Sequence, residues 1–323
     1  MLQLCNYVAK RDRATAAVTH HLTHCLTALE GTMEPNTSSK GVPMAILGAI
    51  AVPHPPLIVP AVGRGDERKI QHTIDAYERA TDELLALQPD CIVVTSPHAP
   101  LFRDGFHVTT DPHLEGSMAR FRAPGERIVA ACDTELAREI VLRANDAGIP
   151  AVGSDLYRDE MDHGTYVPLH FVRESYRKVV PDGQGDLPCP IVRIGLSGLS
   201  PEMHRALGRV IAQAAEALGR NVGFIASGDL SHKLLPEGPY GFAPEGPEFD
   251  ERIGDIFATG NLDELFDFDE DFCEAAAECG LRSFQIMVGA LDGVDACSVL
   301  LSNEGPFGVG YGVATVMPSG AAE

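Results

Sequence analysis

From Pro43 onward the chain is punctuated by short, unbroken apolar runs, each followed by small or turn-forming residues. "MAILGAIAV" at 44–52, "CIVVTS" at 91–96, "CPIVRIGL" at 189–196 and "VGFIAS" at 222–227 have this form. Continuous rather than alternating hydrophobicity predicts strands buried on both faces, as in a largely parallel sheet covered by helices. Between these runs the apolar spacing becomes helical, as at Ile70, Ile74, Tyr77, Leu84 and Leu87. Two helices carry their own punctuation. Asp133 is placed as an N-cap with Gly148 as a stop; Ser200 caps a second helix, with Pro201 at its first position and Gly219 as terminator. "FHVTT" at 106–110 reads as a shorter strand. Helices are expected between 247 and 292, and "ACSVLLS" and "FGVGYGVATVM" then form a hairpin-like finish. The expected fold is a single α/β domain over 43–318, with a central mixed, largely parallel β-sheet flanked by helices on both faces.

Residues 1–42 differ. They hold a basic patch (Lys10, Arg11, Arg13), a short amphipathic stretch and the polar "MEPNTSSKG", and read as a poorly ordered extension, with Met33 and Met44 as alternative starts. His20, His21, His24 and Cys25 imitate a metal cluster, but no second ligand group of recognisable spacing follows, which favours a partly polar helix face. Residues 319–323 read as a tail.

Composition narrows the partners. At 323 residues there is ample chain for a core, and a formal net charge of −21 argues against nucleic acid and anionic membrane surfaces. No apolar run spans a bilayer and no secretory pattern opens the chain, so the expected location is the cytoplasm. The 8 cysteines are scattered without a C-x-x-C pair, which predicts reduced thiols rather than a disulfide frame.

The chemistry lies just past the strands. "AILGAIAVPHPP" delivers His54, "CIVVTSPHAP" delivers His98, and "NVGFIASGDLSH" delivers His232. Ligands of open α/β sheets bind beyond the carboxyl ends of strands, so one fold can bring the three together. Pro53, Pro55 and Pro97 stiffen the backbone at the first two. Two histidines and a carboxylate with vacant positions form the non-haem Fe(II) site that activates oxygen. Glu270, Glu274 and Glu278, at i, i+4 and i+8, would make one acidic helical stripe; from pattern alone a solvated face is the better reading. Cys279, beside Glu278, offers a thiolate that would favour softer metals. The Pro/Gly-rich stretch "LLPEGPYGFAPEGPEFD" (234–250) directly follows His232 and is placed either to cover it or to serve as a solvated connection.

In order, "VPHPPLI", "TSPHAP", "DHGTYVPL", "ASGDLSHKL" and "AAECGLRSFQIMVGAL" resemble the blocks of class III extradiol ring-cleavage dioxygenases. The likeness is closest to the subunit-B-like branch of AmmeMemoRadiSam system proteins, within a superfamily that includes Memo-like members, and it spans about residues 45–317. The resemblance implies His54 and His98 as the histidine ligands of Fe(II) and Glu278 as the carboxylate ligand. It implies His232 as the acid–base residue beside the metal's open face, and His163 as a pocket residue that hydrogen-bonds a substrate hydroxyl. Asp229, three residues before His232, either orients that imidazole or caps a turn. The implied partners are a small catecholic or aromatic substrate and O2, with a homo-oligomer left open. System proteins of this kind often carry a further downstream domain, which is not expected here. The expected activity is Fe(II)-dependent extradiol cleavage of a small catecholic ring. The alternative is a Memo-like metal-binding or redox accessory protein without ring-cleaving turnover. A zinc or manganese hydrolase ranks lowest, because no G-x-S-x-G elbow occurs.

Overall fold

The computed structural model describes residues 45–153, 160–180 and 186–319. The 1–42 extension, with its His20, His21, His24 and Cys25, lies outside the described residues, as do the last four of the tail.

Strand β1 (Ile46–Val52) leads through helix α1 (Gln71–Ala86) to β2 (Cys91–Ser96), followed by β3 (Phe106–Val108) and the pair β4 (His113–Met118) and β5 (Ala123–Ala131). Helix α2 (Thr134–Asp146), β6 (Ala151–Gly153), α3 (His163–Val179), β7 (Ile191–Gly195), α4 (Pro201–Leu218) and β8 (Val222–Ser227) alternate in turn. Helices α5 (Glu245–Thr259), α6 (Glu270–Ala276) and α7 (Leu281–Ala290) precede β9 (Ala296–Glu304) and β10 (Tyr311–Pro318). The main sheet has 8 strands in the order β6-β3-β7-β2-β8-β1-β10-β9. Its centre, β7-β2-β8-β1, is parallel, while β10 and β9 add the expected antiparallel hairpin.

Both sheet faces are covered, as the continuous apolar runs predict. One packs on α1, α3 and the β4–β5 hairpin through Tyr77, Leu84, Tyr166, Val172, Leu114 and Ile128. The other packs on α2, α4, α5 and α7 through Ile140, Leu207, Ile211, Ile253, Phe257 and Phe284. Asp133 caps α2 by accepting the Leu136 amide at 3.0 Å, and Gly219 ends α4 at φ +63°. Ser200 and Pro201 begin α4 as expected, though the Ser200 side chain makes no capping bond. No helix among the described residues is long and apolar enough to cross a membrane. Cys91, Cys132, Cys189, Cys273 and Cys279 carry free thiols; Cys297 departs from the expectation, being disulfide-bonded.

Three features depart from the sequence reading. The acidic stripe does not exist as one helix: α6 stops at Ala277, in the left-handed region at φ +54°, so Glu278 sits in the turn before α7 while Glu270 and Glu274 face solvent. The irregular stretch after His232 is shorter than 234–250, because Pro244 starts α5 at Glu245. The β4–β5 hairpin has no counterpart in the reading, since its strands are partly exposed and polar and are joined by a short helical turn.

Candidate active site

Parallel neighbours β2, β8 and β1 end at one edge, with Thr95 opposite Ala226 and Val52 opposite Ser227. His54 and His98 each lie two residues past their strands, so this register sets them side by side. Their Nε2 atoms are 3.1 Å apart and the rings meet edge-on at 83°. His163, the first residue of α3, stacks on His98 with centroids 4.1 Å apart. Candidate ligand atoms of His54, His98 and His163 all lie within 4.8 Å of one another.

Local chemistry fixes which nitrogen of His54 faces this group. Pro168 lies within α3 and has no N–H, so the Gly164 carbonyl lacks its usual helical donor four residues on. The Ser227 hydroxyl takes that place, donating to the Gly164 carbonyl at 2.6 Å. With its proton committed, Ser227 Oγ accepts from His54 Nδ1 at 3.0 Å. The imidazole is therefore held as the Nδ1–H tautomer, with an Nε2 lone pair toward His98. The His54 amide also donates to Asp229 Oδ1 at 2.7 Å.

Charge follows burial. Burial lowers the His54 pKa, more than the nearby Asp229 and Asp162 raise it. His98 is lowered to about 4 and His163 to about 3, in each case chiefly by burial and then by neighbouring histidines. Three neutral imidazoles at neutral pH are competent metal donors. His232 behaves oppositely. Burial pulls its pKa down, but the Asp229 carboxylate outweighs this and leaves it raised. The His232 Nε2–Asp229 Oδ2 distance of 3.9 Å makes the contact electrostatic rather than a hydrogen bond. Tyr240, from the loop after His232, sets its ring 5.1 Å from the imidazole.

The turn between α6 and α7 completes the cluster. A Cβ at Gly228 would come within 2.1 Å of Gly280 Cα, so these glycines let the turn lie directly on the loop after β8. This seats Cys279 Sγ 3.7 Å from His54 Nε2 and 4.0 Å from His232 Nε2. Burial pushes the Cys279 thiol pKa well up. Glu278 Oε2 instead accepts the Leu281 amide at 2.7 Å at the start of α7, and Glu278 is not part of the three-histidine group. The structure thus brings His54, His98, His163 and Cys279 together, with His232 and Asp229 alongside, and places the Glu278 carboxylate in the adjoining cap. Ser227, Gly164 and Pro168 escaped the sequence reading; a proline four residues after a glycine inside a helical pattern was the available signal.

Comparison with known proteins agrees with this architecture. Residues 48–314 match the family described as the catalytic LigB subunit of aromatic ring-opening dioxygenase, and the chain belongs to that family. It is 36% identical over 278 residues to protein CA_C1420 of Clostridium acetobutylicum, covering 84% of this chain but only 57% of that protein's length. It is 26% identical over 275 residues to the 2-aminophenol 1,6-dioxygenase beta subunit of a Pseudomonas species, covering 76% of this chain and 85% of that one. A MEMO1 family protein of Pyrococcus abyssi is 32% identical over 155 residues, 44% of this chain and 48% of its own. The chain therefore sits within a LigB/Memo-like superfamily.

Proposed function

We propose that this chain is an Fe(II)-dependent ring-opening dioxygenase acting with O2 on a small catecholic or aminophenolic ring. The observation that carries the reading is the pair of Nε2 atoms 3.1 Å apart, one with its lone pair fixed by Ser227. Donors bound at about 2.0–2.1 Å to one cation stand roughly 3–3.5 Å from each other, so the residues present fit a shared ion. His54 and His98 would hold it, with Glu278 as the carboxylate donor. Such an ion would supply charge stabilisation and a template for substrate and O2. His232, its pKa raised beside Asp229, would take a hydroxyl proton from the substrate and return one later. Phe121, whose ring lies 5.3 Å from that of His163, would line the aromatic wall with it. His163 would hydrogen-bond a substrate hydroxyl.

One observation favours a second reading. Cys279 Sγ is 3.7 Å from His54 Nε2, close to the separation of about 3.5 Å expected for a thiolate and an imidazole on one tetrahedral ion. A His54–His98–Cys279 donor set would suit a softer metal and a Memo-like accessory role without ring cleavage. The experiment is anaerobic metal loading of Glu278→Gln and Cys279→Ser, followed by oxygen uptake with catechols and 2-aminophenol. Loss of iron and uptake in Glu278→Gln alone supports the dioxygenase. Metal loss in Cys279→Ser, with no uptake in the parent, supports the accessory role.

A further inference from the structure

We infer that Asp162, backed by the buried Arg193, is a positioning residue that holds His98 and His163 in register with one another. The inference rests on the metal site proposed above and concerns the groups behind it.

Asp162 carries an unusual set of obligations. As N-cap of α3 it accepts the Thr165 amide at 2.9 Å on Oδ1 and the Thr165 hydroxyl at 2.8 Å on Oδ2. Capping would need no more. Yet Oδ1 also accepts the Ser96 hydroxyl at 2.6 Å, and Ser96 Oγ in turn accepts the His98 amide at 3.2 Å. One carboxylate thereby joins the end of β2, which presents His98, to the first turn of α3, which presents His163. The stacking of those two rings follows from that joint.

A carboxylate so enclosed needs a counter-charge, and the fold supplies it from beneath the sheet edge. Arg193, in β7, is wholly buried. Its Nη1 reaches Asp162 Oδ2 at 3.3 Å and the Glu160 carbonyl at 3.3 Å, and its Nε donates to Thr109 Oγ1 at 3.0 Å. An arginine buried in a strand is costly unless each contact has a purpose, and a hydrophobic residue would pack as well. Here the guanidinium fixes the orientation of the carboxylate. Tight packing leaves little slack: a Cβ at Gly164 would come within 2.5 Å of Ser96 Oγ and 3.2 Å of His98 Cδ2.

The test uses variants that separate positioning from folding. Ser96→Ala cuts the tie to His98 and leaves the helix cap and ion pair intact. Asp162→Asn keeps a capping oxygen and removes the charge facing Arg193. Ser298→Ala, which removes an equally buried hydroxyl bonded to the Phe257 carbonyl, controls for general destabilisation. Full-length proteins are titrated with Co(II) against a chromophoric chelator, and histidine ring NMR shifts are recorded on the metal-free proteins. We expect Ser96→Ala and Asp162→Asn to bind Co(II) about 10–100-fold more weakly, with shifted His98 and His163 ring signals. Ser298→Ala should match the parent in both. Parent-like affinity and ring signals in folded Ser96→Ala and Asp162→Asn would overturn the inference. If the parent takes up no Co(II), the proposed metal site falls, and the ring signals alone decide the positioning role.

Discussion

Ser227→Ala strikes the device that selects the His54 tautomer. The hydroxyl has two partners, the Gly164 carbonyl at 2.6 Å and His54 Nδ1 at 3.0 Å, and Ser227 and His54 are fully buried. Removal leaves a carbonyl that Pro168 cannot satisfy and an imidazole N–H with no acceptor. Each orphaned buried group costs about 1–3 kcal/mol, so the metal-free protein should lose roughly 2–6 kcal/mol of stability. A separate effect falls on the metal. Without Ser227 the ring is free to carry its proton on Nε2, the atom that faces His98, and affinity should drop by about 10–100-fold. Urea unfolding of the metal-free protein gives the first number and chelator competition the second. Stability loss with parent-like metal affinity would refute the claim that Ser227 sets the donor nitrogen; it would leave the serine as packing alone.

Four further outcomes are expected. His232→Ala should keep its iron and lose about 10²–10⁴-fold in turnover, measured as metal content and initial oxygen uptake, whereas His98→Ala should lose the metal itself. Gly164→Ala should cost about 1–3 kcal/mol in a urea titration and weaken metal binding, because its Cβ collides with Ser96 Oγ beside His98. Burial lowers the pKa of both His204 and His170 to about 4, so above their ordinary value of 6.5 both are neutral, folded or unfolded. Between about pH 6.5 and 4 the unfolded chain binds more protons, stability falls with acid by up to roughly 3 kcal/mol per histidine, and urea midpoints for His204→Gln should fall less steeply. A chain beginning at Pro43 should keep the melting temperature and metal content of the full protein, and a large loss in either would show that the extension packs on the core.

Much of the fold was legible because burial on both faces leaves an unambiguous mark. The runs at 46–52, 91–96, 191–195 and 222–227 became the parallel centre of the sheet, and Asp133 and Gly219 bound helices where their chemistry requires. The histidines past β1 and β2 could be paired because a parallel register brings strand ends to one edge. What could not be read was set by tertiary contact. The glutamate periodicity gave no hint that Ala277 takes φ +54° and divides it, because that residue has no intrinsic preference for the left-handed region. Cys279 reaches His54 only because Gly228 and Gly280 permit backbones to touch, a relation between positions 52 residues apart. Asp162 stands in the sequence only as the first residue of "DHGTYVPL"; its ties to Ser96 and Arg193 join two strands and a helix that are distant in the chain.

The central claim is that the histidine cluster holds iron for opening an aromatic ring with O2. It is tested most directly by loading the purified protein with Fe(II) under anaerobic conditions, admitting 18O2 with catechols and 2-aminophenol, and analysing the products by mass spectrometry. The account predicts a ring-opened product that carries both labelled oxygen atoms from at least one of these substrates, and none from His98→Ala. Stoichiometric iron binding with every ring recovered intact across that panel would contradict it and leave the metal-binding accessory role in its place.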